Sequence, residues 1–275
     1  MKTIYAVYGD PVGHSLSPVM HNAAYAKLGM DCEYHKFRVI QSNLGDAIMG
    51  AKAMGFGGLN LTIPLKETAL DFIDPDPLCE AIGAVNTIEF RHDTVIGHNT
   101  DGIGAMNALT LEGCVIPNSH ILILGAGGAA RAVAFQLAKH KAYVTIANRT
   151  VERAITLARN VSRVGKACAC GLEDITRQVA ESDILINTTS VGMYPDINNT
   201  LVTADMMHKG QVVFDLVYSP LETMFLQEGN KANAITIDGI RMLTLQGAES
   251  FRIWTGITPP VDVMEQAVRD VLNKQ

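Results

Sequence analysis

The chain has 275 residues, which is long enough for two domains with sizeable buried cores. Its 22 Lys and Arg residues and 28 Asp and Glu residues give a formal net charge of −6, and no basic tract interrupts the sequence. This charge pattern excludes the electrostatic footprint of nucleic-acid binding, so no nucleic-acid partner is expected. No apolar run reaches the ~20 residues of a membrane-spanning helix, so no membrane partner is expected either.

In the first hundred residues, strand and helix patterns alternate. Ser17 and Pro18 are a typical N-cap and first-turn pair, and Gly29 follows the predicted helix end. Strands are predicted at residues 3–8, 33–39, 58–62, 84–90 and 94–98, and helices at 18–28, 43–54 and 101–111. The last two strands are expected to form a hairpin around residues 91–93.

From about residue 118 to 237 the chain has the strand–helix rhythm of a doubly wound parallel sheet. Its strands are predicted at residues 120–124, 143–147, 167–169, 183–187, 212–215 and 234–237, and the chain ends in helices at 243–255 and 261–273. We therefore predict an α/β fold of two domains. An N-terminal α/β substrate domain, residues 1–101, is completed by C-terminal helices in 240–275, and a Rossmann-type cofactor domain, residues 102–239, is inserted between them.

Residues 121–130, with the sequence ILILGAGGAA, place a buried strand directly before a glycine-rich turn and a helix. Gly125 permits the tight turn, Gly127 lets the backbone approach a pyrophosphate, and Ala130 is small enough for helix–strand packing. The helix N-terminus would present N–H groups and a favourable dipole to the phosphates. This segment predicts a dinucleotide cofactor.

The end of the second cofactor-domain strand indicates which dinucleotide is bound. An acidic residue that bonds the ribose 2′-hydroxyl is expected there, but the chain has Asn148, Arg149 and Thr150. A carboxylate would repel a 2′-phosphate, whereas an arginine can bind one, so the sequence favours NADP over NAD. The alternative is that Arg149 is a surface residue at the start of the next helix.

Four polar clusters outside the glycine-rich segment are candidates for chemistry: residues 13–18, 60–67, 83–87 and 97–102. Ser15 and Ser17 could both donate to a carboxylate, although helix capping alone would explain Ser17. Lys66 is either a solvated surface residue or a proton shuttle, and Asp101 either caps a helix or pairs with Lys66. Asn86, in an apolar strand pattern, is expected to point into a cleft.

Cysteine and histidine spacing does not predict a metal site. Cys168 and Cys170 have no matching second pair or histidine cluster, and His14 is a lone histidine beside glycine, so no metal is expected. The odd count of five cysteines, without a signal-peptide pattern, indicates a reducing, cytoplasmic location.

Together these blocks resemble the signature blocks of the shikimate dehydrogenase family. The resemblance also covers residues 148–150, 187–193, 218–220 and the tail at 239–256, so it spans nearly the whole chain in order. It implies a reversible, NADPH-dependent reduction of 3-dehydroshikimate to shikimate in the chorismate route to aromatic amino acids. One departure is Leu216–Val217, where relatives often carry Met or an aromatic residue beside the nicotinamide.

The resemblance also implies roles for individual residues. Lys66 and Asp101 would form the catalytic acid–base pair. The substrate shikimate or 3-dehydroshikimate would contact Ser15, Ser17, Thr62, Lys66, Asn86, Asp101, Tyr218 and Gln246. NADP would contact Gly125, Ala126, Gly127, Gly128, Ala129, Asn148, Arg149, Thr150, Arg153, Leu216, Gly239 and Met242.

Other functions remain as alternatives. A quinate/shikimate dehydrogenase that uses NAD would carry an acidic residue where Asn148 and Arg149 stand. A non-catalytic sensor of NADP on the same fold would not need Lys66 and Asp101 together. The Ser-x-Ser-Pro block and Gln246 argue against a folate-type or tRNA-linked dehydrogenase. The sequence does not give the oligomeric state, and a homodimer is one alternative.

Overall fold

The computed structural model describes residues 2–274, in which strands and helices alternate along the chain. The strands are β1 (Thr3–Gly9), β2 (Cys32–Arg38), β3 (Gly58–Leu61), β4 (Asp74–Pro75), β5 (Thr87–Arg91), β6 (Thr94–His98), β7 (His120–Leu124), β8 (Tyr143–Ala147), β9 (Lys166–Cys170), β10 (Ile184–Asn187), β11 (Val212–Asp215) and β12 (Ile235–Ile237). The helices are α1 (Ser17–Leu28), α2 (Leu44–Ala53), α3 (Leu65–Thr68), α4 (Pro77–Ile82), α5 (Asp101–Leu111), α6 (Gly128–Lys139), α7 (Val151–Val161), α8 (Ile175–Ala180), α9 (Met224–Lys231), α10 (Gly239–Thr255) and α11 (Val261–Leu272).

Contacts divide the chain into two units. The first unit comprises Met1–Gly104 and Thr244–Gln275, and the second comprises Ala105–Leu243. No helix within residues 2–274 is both long and apolar enough to cross a bilayer.

The first unit contains a mixed six-stranded sheet with the order β2-β1-β3-β5-β6-β4. Strands β2, β1 and β3 are parallel, β5 runs antiparallel to both β3 and β6, and β4 pairs parallel with β6. Helix α2 packs its apolar stripe of Leu44, Ile48 and Ala51 into the core of this sheet, as the 3.6-residue period requires. The carboxyl ends of β1 and β3 therefore lie side by side and bring the loops that follow them to one edge.

The second unit contains a fully parallel six-stranded sheet with the order β12-β11-β10-β7-β8-β9. This is the doubly wound Rossmann order, so the predicted α/β fold class is confirmed. Strands β10 and β11 are buried throughout, because helices cover both faces of such a sheet. The strand order reverses between β7 and β10, and the crevice at their carboxyl ends is where this fold binds ligands.

Three short elements of the first unit, α3, β4 and α4, were not expected from the sequence. Strand β4 and helix α4 occupy the region between residues 72 and 83, where Asp76 caps α4 by accepting a hydrogen bond from the Cys79 N–H at 2.7 Å. The Asp76–Pro77 pair is a normal helix-start signal that could have identified this helix. Strand β5 starts at Thr87, so the prediction that the strand begins at residue 84 is wrong.

His98, at the end of β6, joins these short elements to the sheet. Its Nδ1 hydrogen-bonds Asp76 at 3.0 Å and its Nε2 hydrogen-bonds Glu89 at 2.9 Å. The hydrogen bond with Asp76, reinforced by Glu89, raises the pKa of His98 above its usual value. The imidazole thereby fixes the strand end from which the segment carrying Asp101 departs.

His21 on α1 is fully buried among aromatic rings. It stacks on Tyr34 with ring centroids 4.4 Å apart and an interplanar angle of 3°, and Tyr25 and Trp254 lie on other sides. Within residues 2–274, neither ring nitrogen has a hydrogen-bond partner. Burial lowers the pKa of His21 to about 3, so the native state holds this ring neutral.

The burial of His21 predicts a specific acid sensitivity of the fold. Below the ordinary histidine pKa of 6.5, the unfolded chain gains a proton at His21 that the native chain does not gain until about pH 3. His21 should therefore contribute a loss of up to about 1.4 kcal/mol in unfolding free energy per pH unit below 6.5. His21→Phe keeps a stacking ring and removes this proton, so its stability should fall less steeply between pH 6.5 and 4.

Urea unfolding at several pH values measures this difference. His92→Asn is the control, because His92 is an exposed turn residue with φ of 40°, a conformation that asparagine tolerates. The control should keep the wild-type slope. Parallel stability curves for wild type and His21→Phe would contradict the assignment.

Candidate active site

An ion pair between Lys66 and Asp101 forms the centre of the polar cluster in the first unit. Lys66 Nζ donates to Asp101 Oδ2 at 2.5 Å, and the two side chains are 23% and 6% exposed. Lys66 lies on the short helix α3 that follows β3, and Asp101 is the first residue of α5. Asp101 therefore pairs with Lys66, which was one of its two alternatives, and a partly accessible ammonium faces a nearly buried carboxylate.

Asn86 binds the other oxygen of this carboxylate. Its Nδ2 donates to Asp101 Oδ1 at 2.8 Å and to Thr100 Oγ1 at 2.9 Å, and its Oδ1 accepts from the Thr100 N–H at 2.8 Å. The residue is 2% exposed and precedes β5, so the expectation that it lies within the strand is wrong. Burial of an amide requires internal partners, and here those partners hold the Asp101 segment.

Behind Asn86 lies a second layer of buried polar side chains that was not predicted from the sequence. Asn60 Nδ2 donates to Thr87 Oγ1 at 3.1 Å and to Ser250 Oγ at 3.0 Å, and Asn60 Oδ1 accepts from the Tyr34 hydroxyl at 2.7 Å. Thr87 Oγ1 in turn donates to Asn86 Oδ1 at 3.0 Å. A polar residue inside the short apolar strand β3 was the available signal for Asn60.

Ser15 and Ser17 form a local turn at the start of α1. The predicted N-cap role of Ser17 is wrong, because α1 begins at Ser17 and Leu16 precedes it without any side-chain cap. The Ser17 N–H donates instead to Ser15 Oγ at 3.3 Å. Burial raises the pKa of Tyr34, and a hydrogen bond with the Ser17 side chain opposes that rise. This hydrogen bond links the turn to the second layer of buried polar side chains.

The remaining predicted substrate residues differ in how closely they join this cluster. Gln246 on α10 accepts from Asn86 Nδ2 at 3.3 Å, so it belongs to the group around Asp101. Thr62 is half-buried at the end of β3, where its backbone N–H donates to the Tyr8 carbonyl at 2.9 Å. Tyr218 lies in the second unit, where burial raises its pKa.

The glycine-rich segment of the second unit has the shape that a pyrophosphate requires. Gly125 has φ of +112°, and a Cβ there would lie 2.7 Å from Thr188 Oγ1, so only glycine fits. By contrast, a Cβ added at Gly127 or Gly128 would meet no heavy atom within 4 Å. This open space lies at the N-terminus of the 12-residue helix α6, where free N–H groups favour an anion. The segment, which includes Ala126 and Ala129, therefore fits the phosphates of a dinucleotide.

The residues predicted to bind the 2′-phosphate lie between β8 and α7. Asn148 Nδ2 donates to the Thr150 carbonyl at 2.9 Å, which shapes the turn. The side chains of Arg149 and Arg153 are exposed at the start of α7. Two guanidinium groups beside a helix N-terminus provide a suitable environment for a phosphate.

Leu216, Gly239 and Met242 are the other predicted cofactor contacts in the second unit. Leu216 directly follows β11, and Met242 is buried on α10. A Cβ at Gly239 would lie 2.5 Å from the Val217 carbonyl oxygen. Glycine at 239 therefore allows α10 to start against the segment that carries Leu216.

Comparison with known proteins gives consistent matches along the chain. Residues 7–88 match the family model of the shikimate dehydrogenase substrate binding domain, 110–242 that of shikimate / quinate 5-dehydrogenase, and 239–269 that of the shikimate 5′-dehydrogenase C-terminal domain. The chain is 56% identical over 273 residues to the shikimate dehydrogenase (NADP(+)) of Methanococcoides burtonii, covering 99% of this chain and 100% of the relative. It is 54% identical over 278 residues to that of Methanosarcina mazei, covering 99% of each.

Solved structures give the same result. A shikimate dehydrogenase in complex with NADP+ matches with a TM-score of 0.92 at 45% identity, covering 98% of this chain and 96% of that one. Shikimate 5-dehydrogenase from Thermus thermophilus, in complex with NADP(H) and shikimate, matches with a TM-score of 0.91 at 38% identity, covering 98% and 100%. The chain belongs to the shikimate dehydrogenase family.

Proposed function

We propose that this protein catalyses the reversible, NADPH-dependent reduction of 3-dehydroshikimate to shikimate, a step toward chorismate and the aromatic amino acids. The observation that carries the proposal is the Lys66–Asp101 ion pair, held by Asn86, in a chain whose second unit has a dinucleotide-binding turn. The names of the relatives and the ligands of the solved structures support the same substrate and cofactor. The five cysteines are free thiols, which suits a reducing, cytoplasmic location.

Lys66 supplies the proton in this reaction. Bound NADPH would supply the hydride, and reduction of the ketone would leave negative charge on the substrate oxygen. The Lys66 ammonium can stabilise that charge and transfer a proton from Nζ to the oxygen. Asp101 fixes the position of Nζ through the 2.5 Å hydrogen bond, and Asn86 fixes Asp101.

The substrate contacts that we propose suit a polyol carboxylate. Ser15 and Ser17 hydroxyls would bind the carboxylate, since a hydroxyl that accepts a hydrogen bond can still donate its own proton. Asp101 and the neutral groups of Thr62, Asn86 and Gln246 would bind the ring hydroxyls, and Tyr218 would line the ring. Because Asn86 is buried, its main contribution in this proposal is to orient Asp101.

NADP would be held by groups of the second unit. The segment from Gly125 to Ala129 would bind the pyrophosphate at the α6 N-terminus. Asn148, Arg149, Thr150 and Arg153 would bind the 2′-phosphate. Leu216, Gly239 and Met242 would contact the nicotinamide side.

Replacement of Lys66 by methionine tests the proton-transfer role. Wild type should oxidise shikimate with NADP+, measured by absorbance of the NADPH formed. Lys66→Met should lower kcat by ~10²–10⁴-fold, the usual effect of losing an acid–base group, with little change in NADP+ affinity. Lys52→Met is the control, because Lys52 donates to the Asp93 carbonyl oxygen at 2.7 Å, away from Asp101, and should leave kcat unchanged. A Lys66→Met variant with near-normal turnover would show that another group transfers the proton.

Replacement of Arg149 by alanine tests cofactor choice. Wild type should prefer NADP+ to NAD+, and Arg149→Ala should lower kcat/KM for NADP+ by about 10- to 100-fold through the loss of charge-assisted hydrogen bonds. The effect on NAD+ should be much smaller, and the loss should shrink at high salt because the side chain is exposed.

Arg163→Ala, in the turn just after the opposite end of α7, is the matched control and should keep the wild-type ratio. A wild-type preference for NAD+ would support the quinate/shikimate alternative. If Arg149→Ala kept the wild-type ratio of kcat/KM for NADP+ and NAD+, the 2′-phosphate contact would be assigned to Arg153 instead.

A further inference from the structure

Asp215, the last residue of β11, is a fully buried carboxylate to which the proposed mechanism gives no role. Its Oδ2 accepts from Thr223 Oγ1 at 2.6 Å, and its Oδ1 accepts from Asn187 Nδ2 at 2.9 Å and from the Val217 N–H at 2.9 Å. Burial raises the pKa of Asp215 to about 6, although these three donors oppose the shift. A buried charge with this many aligned donors holds them in a defined arrangement.

Two of these donors lie at opposite ends of one loop. Val217 is near the start of the loop that follows β11, and Thr223 is the N-cap of α9, where its Oγ1 also accepts from the Leu226 N–H at 3.3 Å. Asp215 therefore ties both ends of residues 216–222 to the end of β11. This loop carries Leu216 and Tyr218, the proposed nicotinamide and substrate contacts.

The third donor extends the arrangement to the neighbouring strand. Asn187 is the last residue of β10, and its Oδ1 accepts from the N–H of Thr189 at 3.1 Å and from its Oγ1 at 2.7 Å. Thr188, between them, donates from Oγ1 to the Leu124 carbonyl at 2.7 Å, directly before Gly125. These hydrogen bonds, together with the backbone of residues 187–189, connect Asp215 with the glycine-rich turn at the carboxyl edge of the sheet.

We propose that Asp215 is a positioning residue that fixes the 216–222 loop, and through Asn187 the loop after β10, so that Leu216 and Tyr218 hold the reacting half of the cofactor and the substrate. The inference rests on the proposed function and adds a role that the acid–base pair does not supply. It requires that Thr223 and Asn187 act through Asp215, because the carboxylate accepts a hydrogen bond from the side chain of each.

The test compares Thr223→Val with Thr223→Ser. Valine keeps the shape of threonine and removes the hydroxyl donor, whereas serine keeps the donor. Thr223→Val should lower kcat for shikimate oxidation by roughly tenfold and weaken NADP+ binding. Binding of adenosine 2′,5′-bisphosphate, which lacks the nicotinamide half, should stay unchanged. Thr223→Ser should restore kcat and NADP+ affinity to near the wild-type values.

Thr203→Val is the matched control, because Thr203 also donates a hydroxyl to a carboxylate, Asp205 Oδ1 at 2.6 Å, but lies on the segment before β11. It should leave both binding and kcat unchanged. If Thr223→Val does not fold, Asp215→Asn serves as the second variant, with the same expected split between the two ligands.

Two results would overturn the inference. One is a lower melting temperature in Thr223→Val or Asp215→Asn with normal kcat and NADP+ affinity, which would make the network purely structural. The other is an equal loss of affinity for NADP+ and adenosine 2′,5′-bisphosphate. Failure of the proposed function is distinct, since then wild type itself would not oxidise shikimate.

Discussion

The ion pair between Lys66 and Asp101 is the interaction on which the rest of the first unit's polar cluster depends. Asp101 is almost fully buried, and an isolated carboxylate in that position would carry a large desolvation cost. Lys66 and Asn86 offset that cost by donating to one oxygen each. The end of β3, the segment before β5 and the start of α5 must therefore meet at one place, and the fold of the first unit brings them there.

In the second unit, hydrogen-bond donors and positive charges are arranged to favour an anionic ligand. Its glycine-rich turn leaves the backbone donors at the α6 N-terminus open toward a ligand, and the side chains of Arg149 and Arg153 are exposed nearby. Asp215 is a buried carboxylate of this unit. Its proposed role is to position loops rather than to take part in proton transfer. In each unit a buried carboxylate accepts hydrogen bonds on both of its oxygens, while the cationic side chains of Lys66, Arg149 and Arg153 retain exposure.

The sequence predicted the second unit well, because the strands of a parallel sheet covered on both faces are continuous apolar runs bounded by turns. It predicted the Lys66–Asp101 pair only as one of two alternatives, since nothing in the spacing of 35 residues requires contact. The mixed strand order of the first unit could not be derived from local patterns. The Asn60–Ser250 hydrogen bond spans 190 residues and depends entirely on that topology.

The start of α1 shows a different limit. Ser17 followed by Pro18 is a typical N-cap pattern, but here the Ser15 hydroxyl oxygen accepts a hydrogen bond from the Ser17 N–H. The helix therefore begins one residue earlier than expected, at Ser17. Local side-chain hydrogen bonds of this kind compete with capping and cannot be ranked from sequence. The expectation that Asn86 lies within a strand was wrong for a related reason, because its partners come from the Thr100–Asp101 segment and it precedes β5.

The central claim is that Lys66 and Asp101 act as one unit, and a double-mutant cycle on kcat tests it most directly. Lys66→Met, Asp101→Asn and the double variant would be compared with wild type in shikimate oxidation at saturating NADP+. If the pair transfers the proton together, the double variant should lose about as much kcat as Lys66→Met alone. Losses that multiply in the double variant would contradict the account, because the two residues would then contribute independently.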